Sequence, residues 1–190
     1  MRAGAFVAGI ILCSCVACSS SQKSPTGPTT ASKLTVMLTD TPFTDAAAVL
    51  VTFSDVSAHR SGGTFLPLTF AGGASNRTCD LKRLVGAQDV LATGMLPADH
   101  YTEVRLTVAS ATVYFDAPTS GDACGPSLAA PAGRSALVTV ASGEITLNRE
   151  FDLTGAGSTT MRLDFNGDQS LVLAGTLYVL TPVITVVSVQ

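Results

Sequence analysis

The chain has 190 residues, of which 46% are hydrophobic and only 13% charged, and its formal net charge is −3. That is apolar material enough for one core, so a single folded domain is expected. The eleven Lys and Arg are scattered singly, which excludes the basic face of a nucleic-acid binder, and no nucleic-acid partner is expected.

The chain opens on Met1-Arg2 and an apolar run, Ala3 to Leu12, that reads as an export signal. The run is too short for a membrane span, which needs about 20 residues. Cys13, Cys15 and Cys18 follow at once. Small residues ahead of a cysteine are the mark of a bacterial lipobox, whose cysteine becomes the acylated first residue. Leu12-Cys13-Ser14-Cys15 has the aliphatic residue at −3, whereas Cys15-Val16-Ala17-Cys18 has the better small residue at −1. Cys15 is the preferred lipidation site and Cys18 the alternative. A plain secretory signal without lipidation is the competing reading. A zinc site from these cysteines is disfavoured, because Cys13 belongs to the apolar export segment.

Residues 19–32, "SSSQKSPTGPTTAS", hold no aliphatic side chain larger than alanine and cannot bury enough surface to offset their ordering entropy. They read as a tether whose ends lie roughly 20 Å apart as a coil. The organisation is therefore a signal at 1–14 (17 in the alternative register), a lipidated cysteine and tether at 15–32, and one domain at 33–190.

From Lys33 the pattern has period two. Leu34, Val36 and Leu38 alternate with Thr35, Met37 and Thr39, and the run stops at "TDTP", residues 39–42. A second run at 49–59 shifts parity after Phe53, which predicts a bulge near Ser54-Asp55. Alternation returns at 101–108, 111–116, 144–153 and 160–165. The last run, 175–189, is apolar on both faces and reads as a buried strand, with Pro182 implying an edge or a bulge. The expected fold is all-β: an antiparallel β-sandwich of nine or ten strands, of Greek-key, immunoglobulin-like or transthyretin-like type, with a closed barrel as the alternative.

Three stretches, "LTVMLTDTPFTDAAAVLVTFSDVSAH" (34–59), "LPADHYTEVRLTV" (96–108) and "LDFNGDQSLVLAGTLYVLTPVITVV" (163–187), carry a resemblance. In order, they resemble the landmarks of a bacterial family catalogued as domain of unknown function four-three-eight-two: a T-D-A-P turn, an L-P-A-G-x-Y turn, and a D-F-D-x-x-K-S-L-V hairpin before a K-P-V-I strand. The resemblance implies an exported, often lipid-anchored β-domain and is silent on chemistry. This chain departs from those landmarks at Thr41, Asp99, Gln169 and Thr181. Asp99 replaces the turn glycine, a loss that Asp absorbs through its tolerance of left-handed backbone.

Candidate sites are few. Asp164, Asn166 and Asp168 have the alternating oxygen spacing of a calcium loop, but Asn166-Gly167 is also a strong hairpin signal, and the hairpin is the preferred reading. Cys79 and Cys124, in an oxidising compartment, either form a disulfide closing about 46 residues, worth roughly 4 kcal/mol, or remain unrelated buried thiols. His59, His100 and Glu103 read as separate surface groups at strand ends. Glu150 and Asp152 read as solvated charge. "GAGST" at 155–159 lacks the Lys of a phosphate loop. No cofactor, metal or enzymatic activity is expected. The leading function is a non-enzymatic, lipid-anchored module of the exported cell envelope, on the outer membrane or its periplasmic face, acting by structural or protein contact. The alternative is a carbohydrate-binding module, for which Tyr114 is the candidate platform.

Overall fold

The computed structural model describes residues 30–41 and 45–190. The export signal, Cys15, Cys18, the tether before Thr30 and Pro42 of the first turn lie outside the described residues.

Alternation makes the first strand: Leu34, Val36 and Leu38 are fully buried while Lys33 is exposed, giving β1 (Ala31–Thr41). Next come β2 (Ala48–Arg60), β3 (Phe65–Pro67), β4 (Thr69–Phe70), β5 (Arg77–Asp80), β6 (Asp89–Pro97) and β7 (Asp99–Tyr114). The second half holds β8 (Cys124–Gly125), β9 (Ser135–Val140), β10 (Glu144–Leu153) and β11 (Ser158–Asn166). A single helical turn, α1 (Gly167–Ser170), precedes β12 (Leu171–Ala174), β13 (Leu177–Leu180) and β14 (Ile184–Val189).

These strands form two sheets, one of five strands in the order β14-β11-β1-β6-β4 and one of nine in the order β12-β13-β9-β7-β2-β5-β8, with β10 on β7 and β3 on β2. The all-β sandwich expected from the sequence is present, with more strands than the nine or ten counted. Both sheets are mixed, since β1 runs parallel to β11 and β13 parallel to β9. Leu34, Val36, Leu163 and Phe165 of one sheet and Val51, Phe53, Val104 and Leu106 of the other belong to one continuous core.

The predicted bulge lies where expected. Phe53 opposes Val108 and Asp55 opposes Thr107, leaving Ser54 unpaired, so that Val56 and Ala58 turn inward like Val51 and Phe53 before them. Its partner strand carries a matching extra residue, because Thr52 opposes Ser110 and Phe53 opposes Val108. Ala109 thus resets parity without ending the strand, and the runs at 101–108 and 111–116 belong to one 16-residue β7, not to two strands.

The hairpin expected at Asn166-Gly167 does not form. A tight type I′ turn needs positive φ at both central residues, but Asn166 has φ −83° and Gly167 is not among the positive-φ glycines. The Asn166 side chain instead accepts a hydrogen bond from Gln169 N at 3.0 Å, capping α1, which carries the chain from the five-stranded sheet to β12 in the other. Buried Ser170 fixes the crossing, its Oγ accepting from Val183 N at 2.8 Å. The hairpin turn of this region falls later, at Gly175 (φ +67°), between β12 and β13.

The terminal run is likewise two strands in different sheets, half exposed, and not one buried strand. Pro182 sits between β13 and β14, where a residue without an N–H ends one ladder as the chain passes to the other sheet.

At the 96–101 landmark, the fully buried Tyr101 donates its hydroxyl to the main-chain Pro97 O at 2.9 Å and stacks on Phe151 at 5.3 Å, which accounts for the Tyr of this landmark. Asp99 is not left-handed. It lies in β7, and its carboxylate accepts from His100 N at 2.8 Å and from Arg60 Nε at 2.5 Å.

Candidate functional site

Two buried carboxylates mark the two ends of satisfaction. Asp80, fully buried, accepts from Val49 N and Lys82 N at Oδ1 and from the Thr119 hydroxyl at Oδ2. It is a structural hub holding β2, the turn after β5 and the loop before β8 together. Asp40 is 5% exposed, yet neither of its oxygens has a hydrogen-bond partner. Burial, then the negative charge of Asp164, pushes its pKa up to about 8. The Gly167 and Thr41 amides and the Lys82 charge favour the ionised form, although neither amide completes a bond of good geometry.

The predicted calcium residues fall nearby without converging. In the parallel β1–β11 pair, Thr39 opposes Asp164 and Asp40 opposes Phe165, so Asp40 faces the core with Phe165 while Asp164 faces outward with Thr39. Asp164 Oδ2 accepts from the Thr41 hydroxyl at 2.8 Å, Asn166 is engaged as the cap of α1, and Asp168 is exposed within that turn. Among the described residues, no group of three or more His, Cys, Asp or Glu side chains is placed to hold a metal ion.

The histidines lie on the nine-stranded sheet in separate pairings. His59, directly across from Glu103, bonds Thr102 Oγ1 at 2.9 Å and leans on the Phe65 ring, which Arg105 covers at 3.5 Å. His100 bonds Asp152 at 2.8 Å on the surface, and that bond raises its pKa above the ordinary imidazole range. Asp152 is therefore an ion-pair partner as well as a solvated charge. Glu150 adds to the field at His100.

Cys79 and Cys124 stand directly opposite each other in the β5–β8 pair, with Cα atoms 4.1 Å apart, and are joined as a disulfide.

The feature without an internal purpose is apolar. On β9, Val138 is buried and Leu137 points outward, 84% exposed. Tyr178 opposes Val138 in the parallel β9–β13 pair, which sets Leu177, 62% exposed, beside Leu137. Ala174 and Val172 of β12 follow on the same face across from Leu177 and Val179. The result is an outward stripe across β9, β13 and β12 that contains no charged side chain. Tyr114 is half-buried opposite Ser135, on the same face and diagonal to Leu137. Sequence reasoning missed this stripe because Leu137 and Val172 look like core residues until their strand faces are known. A signal was present nonetheless: residues 171–190 contain no Asp, Glu, Lys or Arg.

Fold and surface together define an all-β sandwich with an exposed apolar stripe on its nine-stranded sheet. Residues 31–182 match the family described as Domain of unknown function (DUF4382), and the chain belongs to that family. No curated protein and no solved structure matches it.

Proposed function

We propose that this chain is a non-enzymatic module of the bacterial cell envelope, exported, held by acyl chains on Cys15, with Cys18 as the alternative, and acting by structural or protein contact. The anchor rests on the lipobox and on the tether at 19–32, which is rich in Ser, Thr, Pro and Gly. The contact role rests on one observation: Leu137, Leu177 and Val172 form an exposed apolar stripe on a regular sheet face, whereas soluble surfaces scatter such residues singly.

Two arms test the reading. Cys15→Ser is expected to move the chain from the membrane to the soluble fraction, and the same effect from Cys18→Ser alone would shift the lipidation site. Retention of the Cys15→Ser, Cys18→Ser double variant on the membrane would sink the anchor. A photo-reactive side chain at position 137 is expected to give a discrete protein adduct in intact cells. No adduct, together with Tyr114-dependent binding to envelope polysaccharide, would transfer the function to the carbohydrate reading.

A further inference from the structure

Residues paired across a sheet share a face, and on the outward face of the five-stranded sheet the pairing lines up hydroxyls. Thr35 of β1 stands opposite Thr160 of β11 on one side and Thr93 of β6 on the other, and Thr93 stands opposite Thr69 of β4. Threonines on four adjacent strands thus make one row, about 14 Å long. Their hydroxyls have no hydrogen-bond partner among the described residues, unlike those of Thr39 and Thr41 further along β1. β4 pairs with β6 only at Ala92 and Thr93, and an open groove of about 250 Å³ lies where β6 runs on past it, lined by Lys33, Thr69, Thr93, Gly94 and Met95. The charge here is one-sided. Lys33 and Arg162 are both exposed, and neither holds a carboxylate among the described residues, whereas Arg60, Arg105 and Arg134 elsewhere each hold one. The carboxylate that these strands do place on the face, Asp164, lies at the α1 end and accepts from Thr41. A chain of net charge −3 therefore turns open hydroxyls and two unpaired cations to one side.

We infer that this face binds an acidic polysaccharide, with one carboxylated sugar ring seated in the groove and the polymer running along the threonine row. The inference goes beyond the contact reading, since it uses the other sheet and does not involve Leu137. Each part of such a ligand finds its counterpart. A hydroxyl both donates and accepts, so Thr69 and Thr93 suit the hydroxyls of a sugar whichever way these turn. The Lys33 ammonium suits the carboxylate, and a charge-assisted bond of that kind is roughly twice as strong as a neutral one. Met95, 65% exposed, offers its thioether to the C–H face of the ring. Pockets for larger ligands run from about 300 to 1,000 Å³, so a groove of about 250 Å³ takes a single ring and leaves the polymer to lie across Thr35 and Thr160 toward Arg162. A sheet face looks sideways from its strands, so attachment ahead of Ala31 leaves this one beside the molecule and not beneath it.

The test is calorimetric titration of the full lipidated chain in neutral detergent, with polygalacturonate as the acidic probe and dextran as the neutral one. At about 0.1 M salt, where charges act over about 10 Å, polygalacturonate is expected to bind and dextran to give no heat. Lys33→Gln is expected to weaken binding about tenfold or more, and Thr93→Val about two- to tenfold. Arg149→Gln, which removes an equal charge from exposed β10 of the other sheet, should leave the affinity unchanged. Unaltered melting temperatures would show that the variants remain folded. Absence of binding overturns the inference, as does equal binding of dextran, or an affinity that falls as far in Arg149→Gln as in Lys33→Gln. Binding lost in Tyr114→Ala and kept in Lys33→Gln would put the sugar on the other sheet and overturn it too. So would displacement of polygalacturonate by phosphatidylglycerol mixed into the micelles, which would give the face to lipid headgroups. The contact reading stands or falls separately, on the adduct at position 137.

Discussion

Asp40 makes the sharpest statement at the level of one residue. Its carboxyl belongs to the "TD" that ends the first strand, and the alternation that buries Val36 and Leu38 buries it as well, since position 40 continues their face. A buried carboxyl without hydrogen bonds keeps its proton. In the unfolded chain the group titrates near 3.8 and in the fold at about 8, so between these values the folded state holds a proton that the unfolded state has lost. Stability from this group is therefore fully present below pH about 4, falls as the pH rises toward 8 by up to roughly 1.4 kcal/mol per unit, and levels off above. Asp40→Asn mimics the protonated acid, and urea titrations should show the variant with a flatter profile and the greater stability above pH 8. An identical pH dependence in the two proteins would mean that Asp40 is ionised in the fold.

Among elements, β8 is the dependent one. Two residues make no strand alone, and its place beside β5 is owed to the Cys79–Cys124 link, the Asp80 N to Ala123 O bond of 2.8 Å, and Thr119 reaching Asp80. Replacing both cysteines by Ala should cost about 2 to 5 kcal/mol in denaturant unfolding, with amide protection lost first around residues 119–125. Undiminished stability would show that the hydrogen bonds suffice. The elements also show what a sequence can disclose. β1, β10 and the Ser54 bulge were legible because each depends on local alternation. β7 was cut in two because Ala109 resets parity, and a parity break looks the same in sequence whether the strand ends there or bulges. Asn166-Gly167 misled because its turn preference is conditional on positive φ, which the cap to Gln169 and the pull of buried Ser170 and Leu171 into the core override.

For the whole molecule, the β-sandwich and the family were readable, whereas the partners of each strand were not. β1 pairs with β11, more than a hundred residues away, and no local feature of either announces it, since both alternate in the same way. The contact stripe was hidden for the same reason. Leu137 and Leu177 become neighbours only through the parallel β9–β13 pairing, a tertiary fact with no trace in spacing. Asp164 and Asn166 illustrate the converse, because their sequence spacing was correct while register and capping committed both to local bonds.

Under the proposed anchor, the course of β1 would also set which way up the protein stands. A chain held before Ala31 enters the five-stranded sheet at the start of β1, beside Ser158, and Gln190 returns to that same end, exchanging two hydrogen bonds with Thr160. Eleven residues at about 3.3 Å each then put Thr41 and α1 roughly 35 Å further from the attachment. In an anchored molecule the α1 end becomes the summit and the Ser158 end the foot. A bulky maleimide should therefore react faster with a cysteine placed at exposed Asp168 than with one at exposed Ser158 on intact vesicles, and equally fast after detergent release. Equal rates on the vesicle would lay the sandwich on its side, with its sheets and not its height meeting the membrane.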